Sequence, residues 1–212
     1  MRRGLWLAWL VAAAGCTFNP GAAQQALMQA NMRTLQKDYG AAISLYDRAL
    51  ANDSSLIEAC FYRGVAYRGT GNYDRALADM DKAIALGLDG SRVFSERART
   101  KMEKLAADAA GDRATLAAAF APDDPLGISA DLDHAADLDP AYTDSVALLL
   151  RGAVLLMQGR DAEAEQIFER FLRRRPGAQE DLGAAVAKWK KERPVLDLSP
   201  IDDLGRMGPK RG

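Results

Sequence analysis

The sequence predicts an all-α fold assembled from repeated helical hairpins, and three observations carry that prediction. Two segments align without gaps at a spacing of 34 residues: Tyr39 maps to Tyr73, Ala42 to Ala76, Asp47 to Asp81 and Ala49 to Ala83. Weaker copies recur. A spacing of 88 maps Arg63 and Gly64 to Arg151 and Gly152, Gly71 to Gly159 and Ala76 to Ala164, while a spacing of 52 maps Asp79 and Asp81 to Asp131 and Asp133. Finally, the hydrophobic share of 49% leans on alanine and aromatics reach only 7%, which suits closely packed helices better than sheets. Self-similarity at a period of this size is the mark of stacked supersecondary units, each too small to bury its apolar face alone.

These residues resemble the tetratricopeptide repeat (TPR), a helix-turn-helix unit whose pattern wants small residues at positions 8, 20 and 27, large ones at 4, 11, 17 and 24, and proline at 32. The second unit, 57–90, places Cys60, Gly64, Tyr67, Tyr73, Ala76, Met80 and Ala83 there, with Leu88 in place of proline. The first, 23–56, has a weaker first helix, with Ala26 and Arg33 where bulk is expected, and a well-matched second one through Tyr39, Ala42, Tyr46 and Ala49. The last, 145–178, offers Leu148, Gly152, Leu155, Ala164, Phe168 and Pro176. Small residues let two antiparallel helices approach, and large ones fill the gaps around them. Gly71 and Gly159 stand where a first helix must stop, and Asn72 can cap a second.

The third unit, 91–140, is too long. Phe94 and Ala98 open it in register and Pro140 closes it, which leaves an excess near 106–123. As an insertion, this excess reads as a lengthened first helix, a break at Gly111 and a short helix from Arg113 to Phe120. In the rival arrangement, 91–122 is a degenerate repeat and 123–140 a separate helix. Beyond Pro176, an amphipathic helix fits 179–193, with Leu182, Val186 and Trp189 on one face, placed to cap the open end of a solenoid. Prolines and glycines from 194 to 212 predict a flexible tail. The architecture expected is thus an all-α TPR solenoid over 23–178, of about four repeats plus a capping helix.

The N-terminus carries a different signal. Arg2 and Arg3 precede an apolar run, Leu5 to Ala14. The run is too short for a bilayer span, which takes ~20 residues, but is the size of a signal-peptide core. It ends in Ala13, Ala14, Gly15 and Cys16, which resembles a bacterial lipobox. The resemblance implies that 1–15 is a lipoprotein signal peptide, that Cys16 is lipidated, and that 16–22 is a tether. Thr17 in place of aspartate implies sorting to the outer membrane, facing the periplasm. The protein would then meet the membrane through a lipid anchor. Cys60 would be its single unmodified thiol, leaving packing alone to hold the fold.

Composition and motifs argue against most chemistry. With 28 basic and 29 acidic residues, the chain has no basic excess for nucleic acid. One histidine, His134, and one structural cysteine supply no zinc ligand set, and Gly69, Gly71 and Gly87 belong to repeat turns rather than a phosphate loop. No cofactor, metal site or catalytic residue is expected. Arg170, Arg173, Arg174 and Arg175 complement a helix C-terminus, with anionic lipid headgroups as the functional alternative.

In the family resembled, positions 2, 5, 9 and 12 of each first helix line a concave groove. Carried over, the lining is Gln24, Leu27, Asn31 and Thr34; Glu58, Phe61, Val65 and Arg68; Arg92, Ser95, Arg99 and Met102; and Val146, Leu149, Ala153 and Leu156. Partner contact is expected at Asn31, Glu58, Phe61, Arg68, Arg92, Arg99 and Met102. Leu116 and Phe120, four apart on the insertion's short helix, are expected to offer an apolar contact. A lysine/asparagine/arginine clamp for a peptide carboxylate is not supported, because Leu27, Tyr62 and Glu96 stand where it needs other residues. The resemblance implies a scaffold or adaptor for other envelope proteins or peptides, in assembly of an outer-membrane, secretion or pilus machine. Its alternatives are an adaptor for peptidoglycan-remodelling enzymes and a self-assembling structural module, so an oligomer is possible.

Overall fold

The computed structural model describes residues 19–121, 123–139, 145–193 and 197–206. Cys16 and the signal-like segment lie outside them. The elements are α1 (Pro20–Leu35), α2 (Tyr39–Asn52), α3 (Ile57–Gly69), α4 (Tyr73–Ala85), α5 (Ser91–Ala109), α6 (Arg113–Ala119), α7 (Ile128–Leu138), α8 (Ser145–Met157), α9 (Asp161–Arg174), α10 (Gln179–Glu192) and α11 (Ser199–Arg206). Helices pair as α1 with α2, α3 with α4, α5 with α7, and α8 with α9, and each pair packs on the next to form a solenoid.

Each hairpin is made by the same local chemistry. The first helix stops in a left-handed residue: Lys37 (φ 60°), Gly71 (φ 75°) or Gly159 (φ 75°). Two amides then close back on the helix end. In the second hairpin, Gly71 N donates to the Arg68 carbonyl and Asn72 N to the Tyr67 carbonyl, both at 2.9 Å. This is the Schellman arrangement, which satisfies carbonyls that the helix end would leave bare. The next residue, Asp38 or Asn72, caps the second helix by accepting from Ala41 N or Arg75 N. Arg160 stands at that place in the last hairpin and makes no side-chain cap.

Small residues set the helix spacing. A methyl on Gly64 would sit 2.9 Å from the Ala76 carbonyl oxygen, and one on Gly152 would sit 2.2 Å from the Phe168 ring. Gly64 and Ala76 therefore face each other across the second hairpin.

The third unit departs from the others in its first helix. α5 continues six residues beyond the length of α3 and ends at Ala110 and Gly111, both with positive φ. Asp112 then caps α6, accepting from Ala114 N and Thr115 N. Asp124 accepts from Ile128 N and Ala130 N, starting α7, which packs along α5.

The apolar interior is concentrated at the C-terminal end. One large cluster joins Met102 and Leu105 of α5, Leu116 of α6, Leu132 of α7, and α8, α9 and α10, with Trp189 fully buried. Two smaller clusters serve the first two hairpins, around Tyr46 and around Cys60, Phe61 and Met80. The tail expectation over 194–212 is corrected within 199–206. These residues form α11, whose Ile201 and Leu204 are buried against α8 and α10. Leu198, Ile201 and Leu204 recur at helical spacing, and Trp189 Nε1 donates to the Asp197 carbonyl at 2.7 Å, so apolar burial outweighs the Pro200 signal. α1 likewise begins inside the expected tether, because Asn19 accepts from Ala22 N and Pro20 takes the first helical turn.

Candidate functional site

The first helices α1, α3, α5 and α8 present the groove positions, and the surface they offer changes along the chain. Glu58 and Arg92 are exposed, Asn31 and Arg68 partly so. Phe61, Arg99 and Met102 are buried. On α8, Leu149, Ala153 and Leu156 have no exposure at all and share a cluster with Leu116, Phe120, Ile201 and Leu204. Of the positions that the resemblance assigns to a groove, those still exposed thus belong to the first two hairpins and the start of the third.

Of these side chains, Asn31, Arg68 and Arg92 are held in place. Arg68 reaches from α3 to two carboxylates of α5, Glu96 at 2.9 Å and Glu103 at 3.0 Å, and Arg99 Nε reaches the same Glu103 at 2.7 Å. Arg92 lies over the Tyr62 ring at 5.7 Å, a cation–π contact. Asn31 accepts from the Tyr46 hydroxyl at 2.7 Å, which also lies 3.0 Å from the Thr34 hydroxyl. Burial raises the Tyr46 phenol and the Cys60 thiol above their usual values, so both stay neutral and packed at neutral pH.

Two expectations about contact residues are corrected. Leu116 and Phe120 are core residues rather than an exposed contact. The lengthened α5 carries Leu105 and Ala109 beyond the repeat, and α6 folds back to cover them. Phe61 and Met102 are also interior, the first beside Met80 and Val93, the second beside Leu132 and Leu148. Adjacent hairpins pack closely enough to consume those large apolar side chains. His134 lies at the surface of α7, edge-on to Phe94 with centroids 4.3 Å apart and 3.6 Å from Asp89.

Sequence reasoning missed two features. The first is an apolar row on α1, where Met28, Met32 and Leu35 are largely exposed. Its signal was the i, i+4, i+7 spacing of three apolar residues. The second is a ladder of charge between hairpins. Arg63 holds Asp79 with two nitrogens at 2.7 Å and Asp47 of the preceding hairpin at 2.6 Å. Arg97 repeats this, holding Asp131 with two nitrogens and Asp81 at 2.7 Å. These bidentate bonds raise the Arg63 guanidinium above its usual value. The aligned aspartates at spacings 34 and 52 were that signal, and only the packing revealed their arginine partners.

Among the described residues, no group of three or more His, Cys, Asp or Glu is placed to hold a metal ion, and no helix is long and apolar enough to cross a membrane. Residues 57–87 match the family model of the tetratricopeptide repeat. The fold is a TPR solenoid. Among solved structures, the TPR solenoid is similar to YrrB, described as a TPR protein with an unusual peptide-binding site, at 22% identity and a TM-score of 0.54 over 86% of each chain. It is also similar to MamA, at 17% identity and a TM-score of 0.51, covering 77% of this chain and 91% of that one. At such identities the likeness establishes the fold. No curated protein matches the chain.

Proposed function

We propose that the chain is a non-enzymatic scaffold or adaptor that binds other envelope proteins or peptides through the open part of its groove, while a lipid on Cys16 holds it to the outer membrane, facing the periplasm. The observation that carries the binding role is the partly exposed charged surface of the stacked first helices, on which Arg68 is held by ion pairs and Arg92 by a ring contact, with Glu58 exposed beside them on α3. Side chains already fixed by ion pairs and ring contacts lose little freedom when a partner docks. The likeness to YrrB, whose description names a peptide-binding site, supports the same reading. The anchor rests on the sequence around Cys16, and the helical part begins at Pro20, close behind it. Outer-membrane, secretion or pilus assembly is the setting this implies, with recruitment of peptidoglycan-remodelling enzymes as the alternative.

A photo-crosslinking residue at Glu58 or Arg92 is expected to trap a partner in native cells, whereas one at Arg48 on the outer helix α2 is not. Equal capture from Arg48 would reject the groove. Separately, Cys16→Ser should move the protein from the membrane to the soluble fraction, and full membrane retention would reject the anchor. Exposed Met28, Met32 and Leu35 on the terminal helix favour one second reading, self-association through that end. Light scattering on the Met32→Glu variant distinguishes it, because only an end-to-end oligomer would dissociate.

A further inference from the structure

The most exposed large apolar side chains of the described residues lie on the helix next to the proposed anchor. Met28, Met32 and Leu35, at 59, 58 and 85% exposure, are all on α1, whereas Leu86, Leu126 and Leu138 are less exposed and stand singly after α4, before α7 and at its end. The i, i+4, i+7 spacing puts the three α1 residues in one row. That row lies opposite Ala23, Ala26 and Ala30, which are buried where α1 packs on α2. The exposed residues beside it are Gln24, Gln25, Gln29 and Gln36, polar but uncharged. From Pro20 to Gln36 there is no carboxylate, and the one charged residue is Arg33, at the side of the row with Asp38 3.4 Å away. Such a face has a wide apolar strip, an uncharged border and nothing to repel an anionic headgroup.

We infer that the Met28, Met32 and Leu35 face of α1 is a lipid-contact surface that lies on the bilayer, so that the first hairpin rests on the membrane and the later hairpins project away from it. This placement rests on the anchor proposed above. Cys16 is four residues ahead of Pro20, so a lipid there holds the start of α1 within about 14 Å of the bilayer. Leu35 is 15 × 1.5, or about 22 Å, further along the helix, and α1 laid along the surface brings the whole row to the acyl boundary, as in other interfacial helices. The short tether makes that contact intramolecular, so a modest apolar row suffices. A second copy of the chain is the rival occupant. Three side chains expose only a few hundred Å², short of the ~800 Å² per partner of a stable interface, and the row carries no charged group to set a register. A fluid bilayer needs neither.

The test places a photoreactive residue at Met32 of the full-length protein in intact cells and identifies by mass spectrometry what it captures. Phospholipid adducts are expected, several-fold more than from the same residue at Glu169, which is exposed on α9 in the last hairpin. Met28→Gln together with Leu35→Gln should cut those adducts several-fold without moving the protein out of the membrane fraction, because the lipid on Cys16 still holds it. A product of twice the chain mass, or capture of another protein in place of lipid, would overturn the inference. So would lipid labelling no stronger at Met32 than at Glu169. Failure of the anchor reads differently: Cys16→Ser then stays in the membrane fraction. Phospholipid captured at Met32 in that variant still supports the α1 face, and its absence still overturns it.

Discussion

Gly64→Ala isolates the close approach on which the second hairpin depends. The new methyl would lie 2.9 Å from the Ala76 carbonyl oxygen, 3.2 Å from Met80 Cγ and 3.3 Å from Asp79 Cβ. Met80 can turn aside. The Ala76 oxygen cannot, because it is backbone of α4, and Asp79 is pinned by the two 2.7 Å bonds from Arg63. Restoring a contact of 3.4 Å means moving α4 by 3.4 − 2.9 = 0.5 Å against the next hairpin. Overpacking of this kind costs ~1–3 kcal/mol, offset by the ~0.5–1 kcal/mol that alanine gains over glycine inside a helix. The net expectation is a loss of about 1 kcal/mol, within a span of about 0–2.5 kcal/mol, or roughly 2–4 °C in melting temperature for the central value at this chain length. Gly183→Ala is the internal control. It lies on α10 with nothing within 4 Å of the added methyl, so it should gain the helix term alone. Urea unfolding followed by far-UV circular dichroism compares the two. Gly64→Ala as stable as Gly183→Ala would refute the reasoning, since it would mean the helices do not touch where Gly64 and Ala76 face each other.

Other consequences are as specific. Lys37 holds φ 60° where its counterparts are Gly71 and Gly159, so Lys37→Gly should stabilise by about 1 kcal/mol and Gly71→Ala should destabilise by a similar amount, both read from urea midpoints. Asp131 is buried and neutralises Arg97 and Lys101, so Asp131→Ala should cost about 3 kcal/mol. An unchanged melt would show that solvent, not Asp131, satisfies Arg97. A hydrogen bond from Arg193 holds the Asp161 carboxyl below its usual value of 3.8. Its contribution is therefore present above that value and lost as pH falls through the lower folded one. Asp161→Asn should be less stable than wild type at neutral pH, and the gap should close under acid. A gap that widens as pH falls would reverse the sign and reject the pairing.

The sequence by itself determined the hairpins. Tyr39, Ala42, Tyr46 and Ala49 recur as Tyr73, Ala76, Met80 and Ala83 because each pair of helices meets through the same small-to-large contacts, and Gly71 and Gly159 mark turns that need a left-handed residue. It also located the break after the lengthened α5, because Gly111 is a local signal. What it could not decide is which faces stay open. A large apolar residue at a groove position reads the same whether a partner or the chain's own next element covers it. Phe61, Met102, Leu116 and Phe120 are interior only because the neighbouring hairpins and the fold-back of α6 onto α5 bury them. The arginine ladder is decided the same way. Asp79 and Asp131 align in sequence with no sign of what they bind, and packing alone sets each beside its arginine. Local chemistry is written within a few residues, whereas burial depends on elements far apart in the chain, and only the tertiary structure brings those together.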